Sequence, residues 1–284
     1  MYEYFFKNYF RYLIENTDHY LIYLIPGEEL SIHFKWYGEE RAKAFGVLHS
    51  NSVINDIEER DFYYTHMVIW DKKYKVLAGG QRFLFNKKDE IKNKSYSYLE
   101  YYHPKTYEEL KNISFCEIGR TFVMPRFQNK KILMELIRGF IRIPEAKNIN
   151  IGIGLISFDH RNLKRKCVNN FLDILNNSKR HSINLPPGKY LLEYEKDSCN
   201  DDNDLSMNSG NLKLIEKELK AIDDNFEMPQ VLRPYLRFCE ISYENYSIAK
   251  NYNEIMQLLF SGRSEDISEN QRKLLKEYNS LKKV

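Results

Sequence analysis

One stretch constrains this chain more than any other. It reads Phe115-Cys116-Glu117-Ile118-Gly119-Arg120-Thr121-Phe122-Val123-Met124-Pro125 and continues as Arg126-Phe127-Gln128-Asn129-Lys130-Lys131. An apolar, β-branched run of this kind is a core strand, yet it carries a Glu and an Arg three residues apart. Charges in such a strand are costly unless they are paired or put to use. The run stops at a proline, opens into a basic segment and then turns helical. A basic segment beside a helix N-terminus suits a phosphorylated ligand. On a strand, positions 117 and 120 point to opposite faces, so the two charges either serve two faces or bracket a bulge.

Composition narrows the class. With 284 residues the chain is long for one average domain and short for two. A hydrophobic fraction of 43% supports a real core. The formal net charge of +3 is too small to draw nucleic acid by bulk attraction, so local basic clusters matter more. Cysteines at 116, 167, 199 and 239 form no CxxC, no metal-ligand spacing and no disulfide framework. No metal site is therefore expected. Without a signal-like start the chain reads as cytosolic, in a reducing compartment. No run of about 18 apolar residues is present, so no membrane span is expected.

Residues 1–38 are rich in aromatics. Tyr2, Phe5, Phe6, Tyr9, Phe10, Leu13 and Ile14 recur at helical spacing, which predicts an amphipathic helix with Lys7, Arg11 and Glu15 on its polar side. Such a helix either packs on the domain or faces a membrane surface or partner. A further helix is expected over Glu39–Val47, then a polar loop, Ser50–Arg60. Thr65–Trp70 and Lys75–Phe85 read as a hairpin turned by Asp71-Lys72-Lys73. A short helix at Thr106–Lys111 precedes the 114–124 strand. Helix 132–143, a near-continuously apolar strand 149–157 and helix 162–175 follow. Pro186-Pro187-Gly188 and the acidic 198–209 tract make 176–210 a flexible excursion. Helix 212–222, a helix from Pro229 broken or kinked at Pro234, a strand or helix at 253–261 and a charged helical tail complete the chain. The expected division is an N-terminal extension (1–38), one mixed α/β domain (39–260) and the tail (261–284).

Several pieces, taken in order, resemble the GNAT superfamily, and within it the long-chain N-acyltransferases that form ornithine and glycine lipids, often described as hemolysin-like. The acyl-homoserine-lactone synthases are more distantly similar. Arg41-Ala42-Lys43-Ala44-Phe45 resembles the family's early Arg-x-x-x-Phe helix. Asp56 to Asp61, running into Thr65-His66-Met67-Val68, is similar to its acidic loop and His-containing strand. Gly79-Gly80-Gln81-Arg82 resembles its Gly-x-x-Arg. The closest match is Glu117-Ile118-Gly119-Arg120-Thr121-Phe122-Val123-Met124-Pro125-Arg126-Phe127-Gln128, to Glu-x-Gly-Arg-x-x-Val-x-Pro-x-x-Gln. Ile153–Ser157 is similar to the next strand, and Pro229–Leu236 to the late Pro-x-Leu-Leu-x-x-Tyr-Leu helix. The likeness spans roughly 39–260. The Gln-x-x-Gly-x-Gly/Ala loop of acetyl-CoA enzymes is missing, because Gln128 is followed by Asn-Lys-Lys.

The resemblance implies a GNAT-like fold: a mostly antiparallel central sheet split between two strands, flanked by helices, with extra N- and C-terminal helices. It implies an N-acyltransferase that moves a long fatty acyl group onto the amine of an amino acid such as ornithine or glycine, giving a lyso-aminolipid. No permanently bound cofactor is implied. The co-substrate is acyl carrier protein carrying the acyl group on phosphopantetheine, or acyl-CoA. Expected partners are the carrier protein, the amino-acid acceptor and a peripheral contact at the inner membrane face. Glu117 is the candidate base and Arg120 its charged companion, able to bind a carboxylate by its planar fork. Backbone N–H groups at Phe122 and Val123, exposed by a bulge within Thr121–Met124, would steady the oxyanion. Arg41, Asp61, His66, Arg82 and Ser157 are candidate substrate contacts. Met124, Arg126, Gln128, Lys130 and Lys131 are the candidate acyl-donor lip, and Arg161, Lys164, Arg165 and Lys166 a second basic cluster. Cys116 should point away from Glu117 and be buried. Two other readings remain at this level: an autoinducer-type acyl-homoserine-lactone synthase, and a non-catalytic GNAT-like protein that binds an acyl carrier or lipid.

Overall fold

The computed structural model describes residues 1–46, 55–88, 96–128, 131–177, 185–186, 188, 212–238, 241–250 and 254–281. Lys130, Cys199, Cys239 and most of the 176–210 excursion lie outside these. The helices are α1 (Tyr2–Asn8), α2 (Gly27–Leu30), α3 (Phe34–Phe45), α4 (Tyr98–Tyr102), α5 (Pro104–Leu110), α6 (Ile132–Ala146), α7 (Arg165–Asn177), α8 (Leu212–Ile222), α9 (Leu232–Phe238) and α10 (Glu269–Leu274). The strands are β1 (Leu13–Asn16), β2 (Tyr20–Pro26), β3 (Thr65–Asp71), β4 (Val76–Asn86), β5 (Phe115–Val123), β6 (Ile151–Phe158), β7 (Ser242–Ala249) and β8 (Ile255–Arg263). The class is the expected mixed α/β with an open sheet. No described helix is long and apolar enough to cross a membrane.

The described chain falls into two compact units. The first comprises Met1–Ser97, Leu110–Gly154 and the C-terminal Arg263–Val284. In it the hydrogen-bonded strand order is β1-β2-β3-β4-β5-β6. Neighbours are antiparallel up to β5, and β6 joins β5 in parallel. The residues of β2, Tyr20 to Ile25, are buried on both faces, as are Met67–Trp70 of β3. That double burial explains their unbroken apolar sequence. On one face α6 packs closely: the side-chain amide of Gln81 donates to the Leu136 carbonyl at 2.7 Å. A Cβ on Gly139 would come within 2.5 Å of the Met67 sulfur and 2.7 Å of Gln81 Nε2, so a larger residue there would require both side chains to shift. The other face carries Tyr64, His66, Arg82 and Glu117 beneath α3 and the 3₁₀ turn Glu59–Tyr63.

The second unit comprises Tyr98–Glu109 and Leu155–Gly262. Its strands run in the order β6-β8-β7, with β7 and β8 an antiparallel hairpin. Helices α4, α5, α7, α8 and α9 belong to it.

Four expectations need correction. The N-terminal helix ends at Asn8, and Leu13–Asn16 and Tyr20–Pro26 are strands. Phe5 and Tyr9 do face inward at helical spacing, but Phe6 and Phe10 are exposed. The sheet supplies backbone partners for Leu13 onward that an isolated helix could not match. Pro234 does not break α9: the helix starts at Leu232, so the proline stands in the first turn, where its missing N–H has no intrahelical partner to lose. Among the described residues the tail has a 3₁₀ turn at Ser264–Asp266 and one short α-helix, Glu269–Leu274; beyond it Tyr278 and Leu281 are buried. Strand β7 went unread, because its Ser, Glu, Asn and Ser residues do not look like a strand interior.

Candidate active site

The 115–123 strand forms as its sequence demands, and its register shows what the two charges do. Gly80 stands opposite Phe122 and Arg82 opposite Gly119. One residue of β4, Gln81, therefore faces two of β5, Arg120 and Thr121, which makes a β-bulge. Arg120 takes the left-handed conformation, with φ 49°. Left-handed backbone is uncommon for a residue with a side chain and marks a site held by its surroundings. The bulge lies just before Phe122 and Val123 rather than around them. The ladder from β5 to β6 pairs Cys116, Glu117 and Ile118 with Gly152, Ile153 and Gly154. Among the described residues Gly119–Val123 have no ladder partner on the β6 side.

Glu117 is nearly fully buried, at 4% exposure. The Tyr64 hydroxyl donates to its Oε1 at 2.6 Å, and the Ser97 hydroxyl donates to its Oε2. Neither donor was foreseen. Tyr64 follows the acidic loop, but a tyrosine there reads as core, and Ser97 follows a polar stretch without periodicity. Cys116 is buried as expected, and burial pushes its thiol well up.

Beside Glu117 runs a chain of ion pairs. Arg41, on α3, is fully buried. Its Nη1 and Nη2 donate to the two oxygens of Asp61, each at 2.8 Å, and its Nε donates to Asp56 at 2.6 Å. Arg82 donates from Nη1 to Asp61 at 2.6 Å, and its guanidinium lies over the Tyr64 ring at 4.5 Å. The backbone N–H of Glu58 also donates to Asp61 at 2.9 Å, closing a capping box on the 3₁₀ turn. Burial alone would raise the Asp61 carboxyl; Arg82 and Arg41 outweigh it and hold the group well below the usual carboxylate range. Arg120 reaches Glu58 directly and lies 3.5 Å from Asp56. Glu58, 29% exposed at its side chain, is the most open carboxylate of this cluster. His66 is fully buried, and its Nε2 lies 2.8 Å from the Asp61 carbonyl. Burial lowers it to about 4, so it is neutral near pH 7.

The structure thus brings Arg41, Asp61, His66, Arg82, Glu117 and Arg120 into one cluster. Asp61 is saturated by two guanidiniums and an N–H, which makes it a brace rather than a free anion. Phe122 and Met124 are buried and Val123 half-buried. Arg126, Gln128 and Lys131 are exposed. Arg126 stacks on the Tyr74 ring at 3.7 Å, and Lys73 lies 5.2 Å from the same ring. These cations, Lys73 foremost, pull the exposed Tyr74 phenol below its usual range. Ser157 belongs to the second unit, where it accepts from the Gln257 side chain at 3.1 Å. In the second basic cluster Arg161 pairs with Asp159 at 2.7 Å, and Lys164 donates to the Ile222 carbonyl at 2.9 Å.

No curated protein sequence matches the chain. Among solved structures it is similar to a CoA-dependent acyl-homoserine lactone synthase, BjaI, with MTA, at 7% identity, 90% of this chain and 87% of that chain, TM-score 0.43. It is similar to the AHL synthase LasI at 14% identity, 58% of this chain and 80% of that chain, TM-score 0.38. It is also similar to the ribosomal-protein-S5-alanine acetyltransferase of Vibrio fischeri at 9% identity, 89% of this chain and 97% of that chain, TM-score 0.39. None of these likenesses assigns a substrate to this chain. A family model, the acetyltransferase (GNAT) domain, matches residues 39–138. That segment holds most of α3, the strands β3, β4 and β5 and every member of the charged cluster, so the likeness to an acetyltransferase (GNAT) domain covers the candidate site.

Proposed function

We propose that this chain transfers a long fatty acyl group from a thioester to the amine of an amino acid, ornithine or glycine being the acceptor class, to give a lyso-aminolipid. The observation that carries this reading is β5 itself: a buried carboxylate at Glu117, a bulge at Arg120–Thr121, and a following stretch whose β6 edge makes no ladder.

In the proposed reaction the neutral amine attacks the thioester carbonyl. Its C–N bond forms, the C–S bond breaks, and the thiolate leaves with the electron pair. Glu117 takes the proton released by the nitrogen, directly or through one water. Backbone N–H groups at Phe122 and Val123 steady the oxyanion. Arg120, which holds Glu58 here, exchanges that carboxylate for the carboxylate of the acceptor, a planar match. Arg82 and Asp61 keep Arg120's neighbourhood and the Tyr64 ring in place, and Arg41 and His66 sit behind them as buried supports. Met124, Arg126, Gln128 and Lys131 form the lip for the donor's phosphate, with Lys130 in the same sequence run. Because Asn-Lys-Lys replaces the glycines after Gln128, acyl carrier protein is the preferred donor over CoA. An amphiphilic product implies peripheral contact with the inner membrane face.

The test is transfer of palmitate from carrier protein and from CoA to a panel of amino acids. Glu117→Gln should lower turnover by about 100-fold or more. Equal turnover in the variant removes Glu117 as the base.

A further inference from the structure

Two adjacent pairs of residues meet over Glu117. In Tyr63-Tyr64 and Tyr96-Ser97, the inner members, Tyr64 and Ser97, each donate a hydroxyl to a different oxygen of the Glu117 carboxylate. The outer members stack, Tyr63 on Tyr96, with ring centroids 3.3 Å apart and planes 10° from parallel. Arg60 adds a further tie, donating from Nη1 to the Ser97 carbonyl at 2.8 Å. Tyr64 is buried, and Arg82 covers its ring.

We propose that Tyr64 and Ser97 are positioning residues for Glu117, and that the Tyr63–Tyr96 stack holds Ser97 in place for that role. A glutamate side chain has three rotatable bonds and, without donors to hold it, would sample several rotamers. Two hydroxyls on two different oxygens fix both the position and the plane of the carboxylate. Hydrogen bonds to a charged acceptor are the strong ones, and in a buried site they also keep the carboxylate from being stranded without donors. An ionised carboxylate offers about four acceptor sites, so two hydroxyl donors do not by themselves use up its capacity to receive a proton. The clamp therefore sets the orientation of the carboxylate without itself saturating it. A base displaced by about 1 Å loses rate out of proportion to the displacement.

This inference rests on Glu117 being the base, and the experiment separates the two. Tyr64→Phe removes only the hydroxyl and leaves the ring under Arg82. Ser97→Ala removes the second donor, Ser97→Thr restores it, and Tyr96→Ala removes the stack. With palmitoyl carrier protein as donor, Tyr64→Phe and Ser97→Ala should each lower kcat about tenfold while donor KM stays within about twofold, and Ser97→Thr should recover most of the loss. Tyr96→Ala should behave as a weaker Ser97→Ala. A second reading needs no turnover: labelling of Glu117 by a carbodiimide and a small amine, followed by peptide mass spectrometry. Loss of either hydroxyl should raise the labelling rate several-fold over wild type. Wild-type kcat and unchanged labelling in Tyr64→Phe and Ser97→Ala overturn the clamp, whatever Glu117→Gln does. If Glu117→Gln keeps full activity, or no donor and acceptor react at all, the functional reading fails, and the labelling rates alone decide whether the carboxylate is held as described.

Discussion

Arg41 and Asp61 meet fork to fork: Nη1 to Oδ1 and Nη2 to Oδ2, both at 2.8 Å, with both side chains fully out of water. The pair ties α3 to the turn capped by Glu58, and through Arg82 it reaches the strand beside Glu117. Removing one partner leaves a charge buried without its counter-ion, which typically costs about 3–5 kcal/mol. Arg41→Ala and Asp61→Asn should therefore lower unfolding stability by that order, read as the midpoint and slope of urea unfolding. A double change to apolar residues should cost less than the sum of the two single ones, since the pair is lost only once while Arg82 and Asp56 each lose one partner.

Stability should depend on pH in a defined window. His66 and His103 are both buried and titrate only at about 4, against 6.5 for an ordinary histidine. Between those values the unfolded chain binds protons that the folded chain refuses. Stability is therefore full above about pH 6.5, falls as pH drops, and stops falling on this account below about 4, with a slope near 1.4 kcal/mol per pH unit for each histidine. Below that, Asp61 takes over: its folded carboxyl stays ionised to lower pH than the unfolded one, so its contribution is present above 3.8 and is lost as pH falls through its folded value. His103→Leu should reduce the slope between about pH 4.5 and 6.5 by about 1.4 kcal/mol per pH unit in urea titrations, since its ring makes no hydrogen bond to the described residues.

The backbone at Arg120 offers a comparison free of its ion pairs. Arg120→Ala and Arg120→Gly both delete the guanidinium, but only glycine occupies φ 49° without a Cβ clash. The Gly variant should be the more stable by about 1 kcal/mol. Equal stabilities would mean that the bulge relaxes once the side chain is gone. Both variants should lose affinity for an acceptor carboxylate, seen as a raised acceptor KM.

The donor lip makes its own prediction. Arg126 lies on Tyr74 with Lys73 beside the ring. Arg126→Ala and Lys131→Ala should raise KM for acyl carrier protein several-fold with little change in kcat, and the difference from wild type should shrink as salt is added. The same changes should let the Tyr74 phenol titrate at higher pH in a Tyr74→Phe-referenced ultraviolet titration where Arg126 is lost. A KM that ignores both substitutions and ionic strength would remove these residues from donor binding.

The sequence alone determined the strands β3, β4, β5 and β6, helix α6 and helix α8, because each is a continuous run whose hydrophobic period or apolar length admits one local structure. It also marked Glu117 and Arg120 as charges out of place. It placed Leu13, Ile14 and Glu15 of β1 on a helix and passed over β7, since both are strands only by virtue of a neighbouring strand. The tertiary structure decided what the charges touch. Whether Asp61 is a free anion or a braced one depends on Arg41, twenty residues back, and Arg82, twenty-one residues on. That Tyr64 and Ser97 grip Glu117 joins three segments up to 53 residues apart. Local sequence fixes backbone preference and burial; which donor meets which acceptor is a matter of chain closure over long separations, and no local pattern records it.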